Sequence, residues 1–141
     1  ATIIIHQKEK KMERKNYSSG AKWEDIVGYS RAVQVGDFLE VTGTVAANEH
    51  GVVGKGDMYQ QTFYALEKIA KVIAEAGFSL EDVVRTRIFV TDIKRWEEVA
   101  RAHSSFFKTI KPCTTLLEVK GLIEPDYLVE IEASAIRSNK K

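Results

Sequence analysis

Cysteine is almost absent from this sequence. One thiol, Cys113, in 141 residues excludes an internal disulfide and fits no metal-binding spacing, so a reducing, cytoplasmic setting is expected and no metal is. An excess of charge of one sign is also missing. Twenty-one Lys and Arg against twenty Asp and Glu leave +1, which gives no global field to capture a polyanion, and nucleic acid is not an expected partner. Long hydrophobic runs are lacking too. Nothing approaches the roughly 18 apolar residues of a membrane span, and Ile3-Ile4-Ile5 is too short for a secretory core and has no charged segment before it. No membrane association is expected.

What the chain does have suits one ordinary domain: 44% hydrophobic and 29% charged residues over 141 positions are enough for a core and too few residues for two. Residues 1–15 read as an N-terminal extension, solvated or frayed, because positions 8–15 hold five basic and two acidic residues. Residues 16–141 read as the single domain. Ser18-Ser19-Gly20 signals a turn, with Trp23, Ile26 and Val27 as anchors of an ordered arm. Two alternating runs, 29–35 and 38–43, flank Gly36-Asp37 and predict a hairpin. The glycines at 51, 54 and 56 lack the Gly-Lys-Ser/Thr ending that phosphate binding needs, so 48–56 reads as a connector and His50 as a surface imidazole.

Asp57 with Gln60 reads as a capping pair, and Tyr59, Phe63, Leu66, Ile69, Ala70 and Ile73 recur at helical spacing up to Gly77. Residues 83–91 are rich in β-branched side chains and predict a strand. On it Val84, Thr86, Ile88 and Val90 should share one face, and Arg85, Arg87 and Phe89 the other. A second amphipathic helix is expected over 94–109, with Trp96, Val99, Ala100, His103, Phe106, Phe107 and Ile110 inward and His103 a packed, hydrogen-bonded residue. Pro112 ends it and launches an extended run over 114–120. The last strand, 127–137, places Glu130 and Glu132 at the same spacing as Arg85 and Arg87, which suggests a cross-strand set of ion pairs. The predicted class is α+β, a mixed sheet with two helices packed on one face.

Several stretches, taken in order, resemble one family. Tyr29-Ser30-Arg31-Ala32-Val33, Gly36-Asp37-Phe38, Thr42-Gly43, the run 83–92, Pro112 through Val119, and Val129-Glu130-Ile131-Glu132-Ala133 are similar to the RidA/YjgF family over about 27–137. The resemblance implies a chorismate-mutase-like fold and a homotrimer with small-molecule clefts between subunits. It further implies cofactor-free hydrolysis of reactive imines or enamines to carbonyl compounds and ammonia. In founding members an arginine in a Pro-x-Arg-Ser-Cys-Val-Glu-Val motif grips the substrate carboxylate. Here Pro112 and Glu118-Val119 match the ends of that motif, but Thr114, Thr115 and Leu116 stand at its arginine, serine and cysteine positions.

Carried over residue by residue, the resemblance implies Glu130 as the catalytic group that handles water. Tyr29, Thr42, Gly43, Thr114, Thr115 and Leu116 are then the ligand-binding positions. A guanidinium offers a carboxylate two charge-assisted hydrogen bonds, each worth about 1.5–3 kcal/mol, where a threonine hydroxyl offers one of about 1 kcal/mol. A cation from elsewhere is therefore expected, Arg87 first and Lys94 second. The alternatives are a non-catalytic metabolite-binding or regulatory trimer and, more remotely, an endoribonuclease or translation inhibitor.

Overall fold

The computed structural model describes residues 12–138. Alternation of apolar residues builds the centre. The strands β3 (Phe38–Val45), β6 (Val83–Val90) and β8 (Val129–Ile136) each turn every second residue inward. Leu39, Val41, Ile88, Val90, Val129, Ile131, Ala133 and Ala135 are all buried there. With β1 (Arg14–Tyr17), β2 (Ala32–Val35) and β7 (Cys113–Glu118) they form a six-stranded mixed sheet in the order β1-β2-β3-β8-β6-β7. All neighbours are antiparallel except β6 and β7, the pair joined through a helix.

Helix α2 (Met58–Glu75) begins where the Asp57 side chain accepts a hydrogen bond from the Gln60 N–H, as the capping pair predicts. It lays Leu66, Ile69 and Ile73 on the sheet, and α3 (Trp96–Phe107) packs beside it with Val99 and Phe107 in the same core. The opposite sheet face carries Arg85, Arg87, Glu130 and Glu132 and has no layer over it among the described residues.

Several local expectations change. Arg14 and Lys15, assigned to the extension, pair with Val35 and Gln34 as part of β1, because backbone hydrogen bonds accept charged side chains on an edge strand. The rest of the proposed extension, 1–11, lies outside the described residues. Residues Lys22–Val27 form a short helix, α1, anchored by buried Glu24, whereas Ile26 and Val27 are 69% and 67% exposed. Val84 is exposed and Val83 buried, since a register shift between Val83 and Arg85 against β8 breaks the alternation. Trp96 and Ala100 face outward, the inner positions of α3 being Val99, Ala102 and Phe107. The connector contains a small two-stranded ribbon, β4 (Ala47–Asn48) with β5 (Gly51–Val52).

Candidate functional site

The uncovered sheet face has its chemistry at an irregularity in β3. Between Val41 and Thr44 the pairing with β8 shifts, and the Thr42 and Gly43 carbonyls turn to accept hydrogen bonds from Arg31 Nη2 at 3.0 and 2.8 Å. Beyond the bulge, the Val45 and Ala47 carbonyls accept from Lys68 Nζ, both at 2.9 Å. Burial, helped by the charge of Arg31, pulls the Lys68 ammonium down to about 8. Burial likewise lowers Arg31, against the pull of Tyr29, Glu24 and Glu130, and its Nε lacks a hydrogen-bond partner.

Glu130 lies against Gly43, with room there for a hydrogen atom and nothing larger. Its carboxyl is held above the ordinary carboxylate range, first by burial and then by the negative charge of Glu132, with Arg31 opposing. No hydrogen bond contributes to that balance, so both oxygens keep acceptor capacity. Tyr29 reaches the same region from the end of α1. Gly28 caps that helix at φ 89°, and Gly28 N and Tyr29 N both donate to the Glu24 carbonyl. Glu24 is fixed in turn by hydrogen bonds from Ser18 and Ser19. Tyr29, Ser30, Thr42 and Glu132 line a cavity of about 420 Å³ on this face.

The structure thus brings together Tyr29, Thr42, Gly43 and Glu130, around a residue the sequence reading left out of the site, Arg31. The other expected residues lie apart. Arg87 is engaged with Glu132 at 3.1 Å across β6 and β8, the ion pair the spacing suggested. Lys94 sits in a turn beyond β6 where the Ile93 N–H bonds Glu118, at the far end of β7 from Thr114. That is four residues, or about 13 Å along the strand.

The three motif positions divide between faces. Thr115 pairs with Arg87 and is exposed on its side of the sheet. Thr114 and Leu116 pair with Thr86 and Ile88 and point toward the helices, Leu116 packing against the core. Thr114 therefore lies across the sheet from Glu130, two strands away and offset by three residues, about 10 Å in each direction. A small ligand cannot touch both within one chain.

The only hint of Arg31 in the sequence was its position between Tyr29 and Ala32. Its role depends on the β3 bulge that turns two carbonyls toward it, and bulges leave little trace in residue patterns.

These features define an α+β domain with two helices on one face of a mixed sheet and an acid, a cation and a tyrosine gathered on the other. Comparison with known proteins agrees with that class. The profile of the family described as Endoribonuclease L-PSP matches residues 19–137. A protein of Streptomyces coelicolor is 40% identical over 119 residues, 84% of this chain and 89% of its own length. A RutC family protein of Pyrococcus abyssi is 36% identical over 110 residues, 77% of this chain and 86% of its own. A solved structure from Mycobacterium tuberculosis, described as a member of the YjgF/YER057c/UK114 family, superposes with a TM-score of 0.81 at 46% identity. It covers 89% of this chain and 100% of that one. The chain belongs to this family, YjgF/RidA or Endoribonuclease L-PSP.

Proposed function

We propose that the chain is a RidA-like small-molecule enzyme, a homotrimer with clefts between subunits, that hydrolyses reactive imines or enamines to carbonyl compounds and ammonia. The observation that carries this reading is a carboxyl without a hydrogen-bond partner beside a buried cation: Glu130 and Arg31 both meet Gly43. In the reaction a water oxygen attacks the imine carbon while Glu130 takes its proton. The proton passes to nitrogen to give a carbinolamine; Glu130 then carries the hydroxyl proton of that adduct to nitrogen as the carbon–nitrogen bond breaks, and a carbonyl compound and ammonia leave. An enamine enters this path after protonation at its terminal carbon. A carboxyl whose pKa is raised by burial is a stronger base than an ordinary carboxylate, which suits such a shuttle. Arg31 supplies the positive charge for a substrate carboxylate that Thr114 cannot.

The test is ammonia release from freshly generated 2-aminoacrylate. Wild-type protein should accelerate it, and Glu130→Gln should remove about 100-fold or more of the acceleration, the range for a positioned general base. Absence of any acceleration by wild-type protein ends the enzyme reading. One observation favours the second reading, a non-catalytic metabolite-binding trimer: the Thr114 hydroxyl is already bonded to Thr86 at 2.8 Å, so the motif strand offers a neutral group and no clamp. Saturable binding without turnover would select it. The endoribonuclease reading draws on the family description alone, and RNA cleavage that survives rigorous repurification would restore it.

A further inference from the structure

Two cations hold the backbone around the β3 bulge, and only Arg31 belongs to the proposed hydrolytic site. Arg31 takes the Thr42 and Gly43 carbonyls, and Lys68, reaching from α2, takes those of Val45 and Ala47. We propose that Lys68 is a positioning residue for Glu130: by gripping the backbone just past the bulge it keeps the stretch 43–45 seated against that carboxyl. In its consequences for rate the proposal rests on the hydrolytic function above. In its consequence for the placement of Glu130 it does not.

Three observations carry it. The first is register. β3 meets Glu130 at two points: Gly43, which leaves no room for a Cβ beside the carboxyl, and Val45, the partner of Glu130 in the ladder with β8. The carbonyls of both are held by cations, Gly43 by Arg31 at 2.8 Å and Val45 by Lys68 at 2.9 Å. Thr44 between them is buried, its hydroxyl donating to the Thr42 carbonyl at 2.9 Å. Arg31 thus anchors one side of Thr44 and Lys68 the other.

The second is cost. Lys68 is partly buried, and the one charge that acts on it is Arg31, of the same sign; no carboxylate offsets it. The Tyr64 ring lies 6.0 Å from its Nζ. A cation drawn out of water beside another cation, with no counter-ion, is costly unless dipoles compensate. The Val45 and Ala47 carbonyls are those dipoles. Packing alone does not require an ammonium here, since a methionine of similar length fills the space without that penalty.

The third is the condition under which the grip weakens. The groups bearing on Lys68 are Arg31 from the start of β2, Tyr64 from its own helix and the two carbonyls. Burial first, and then Arg31, bring its pKa down to about 8. Above that value the amine is neutral, and its bonds to the carbonyls fall to about half their charge-assisted strength. A guanidinium in its place would stay charged throughout.

The experiment compares wild type with Lys68→Met and Lys68→Arg. NMR follows the Glu130 carboxyl carbon over the acid range, and ammonia release from freshly generated 2-aminoacrylate is measured as pH rises through 8. Two effects of Lys68→Met on Glu130 have opposite signs. Loss of a positive charge alone raises the carboxyl pKa, whereas a relaxed bulge that admits water lowers it toward the ordinary value. A fall in Lys68→Met, with Lys68→Arg close to wild type, is the expected result. In Lys68→Met kcat should drop about tenfold with KM changed by less than about twofold, as for a displaced acid or base. Lys68→Arg should restore most of that loss. Wild-type turnover should decline as pH rises through 8, a limb that Lys68→Arg lacks. A Glu130 titration unmoved or moved upward in Lys68→Met overturns the proposal. So does a Lys68→Arg protein that matches Lys68→Met in both measurements, or one that keeps the alkaline limb of wild type. If wild type releases no ammonia, the hydrolytic function falls, and the carboxyl titration still decides for or against Lys68.

Discussion

Gly43 is needed for space and not for backbone freedom. Its φ is not positive, but a Cβ there would collide with the Glu130 carboxylate, meeting Cδ at 2.9 Å as well as Oε2. Gly43→Ala should therefore rotate Glu130 off its position while leaving the ladder hydrogen bonds intact. The expected outcome is at least a tenfold fall in ammonia release, with a stability loss of about 1–3 kcal/mol, the usual cost of overpacking. Steady-state kinetics and urea unfolding read the two effects separately. Glu130 itself makes a pH prediction. Its folded pKa lies above its unfolded one, so the folded state binds the proton more tightly. The stabilising contribution is present at low pH and is lost as pH rises through the folded value. Glu130→Gln should raise the thermal midpoint relative to wild type near pH 7.5 and converge with it near pH 4. An equal difference at both values would mean that the carboxyl is not perturbed by the fold.

Among the elements, α2 is tied to the end of the sheet by one buried polar side chain. Gln61 is fully buried and donates from Nε2 to the Asp126 and Gly54 carbonyls at 2.9 and 3.2 Å, while its Oε1 accepts from the Leu128 N–H at 2.9 Å. It joins the glycine-containing connector, the helix and the entry to β8, and so sets where Glu130 emerges two residues later. Gln61→Leu keeps the volume but strands those backbone groups. Unfolding should become easier by about 2–4 kcal/mol, since each buried unpaired group costs about 1–3 kcal/mol. A loss under about 1 kcal/mol would show that water reaches the pocket.

This element also shows what the sequence could and could not reveal. The apolar period from Tyr59 to Ile73 identified α2, and the alternation in 127–137 identified β8, because burial on one side imposes a pattern. Gln61 was invisible within the same helix, because a buried amide breaks the pattern and two of its three partners lie 65 and 67 residues away. β1 was misjudged for a related reason, being a charged edge strand held to β2 by backbone pairing and by the Tyr17 hydroxyl donating to Gln34 Oε1 at 2.7 Å. Of the site, Tyr29, Thr42, Gly43 and Glu130 were legible through family likeness. Arg31 required the bulge of β3, and the placing of Thr114 on the helix side, apart from Glu130, required the parallel register of β6 with β7.

At the scale of the whole molecule, α2 and α3 cover one side of the sheet, and no other element among the described residues covers the second side. Its other face mixes apolar side chains with ions: Phe38 and Ile136 are 55% and 39% exposed and pair across β3 and β8, on the same face as the Arg87–Glu132 pair. A face of this composition suits a subunit interface, where a charged set fixes register around apolar contacts. Closed cyclic symmetry lets one face meet its copies without leaving a free edge. The proposed trimer should sediment at about 48 kDa, three times the 15.9 kDa chain. Ser134 lies on β8 opposite Glu40 and Arg85 and points to the same face. Placing an arginine there should oppose association through bulk and desolvated charge, while the helix-side core stays untouched. Ser134→Arg should therefore sediment as a 15.9 kDa monomer with wild-type helical content and no ammonia release, because the cleft between subunits is gone. A trimeric, active Ser134→Arg protein would move the interface off this face. A monomeric variant with full activity would separate catalysis from assembly and confine the working site to the Glu130, Gly43 and Arg31 of a single chain.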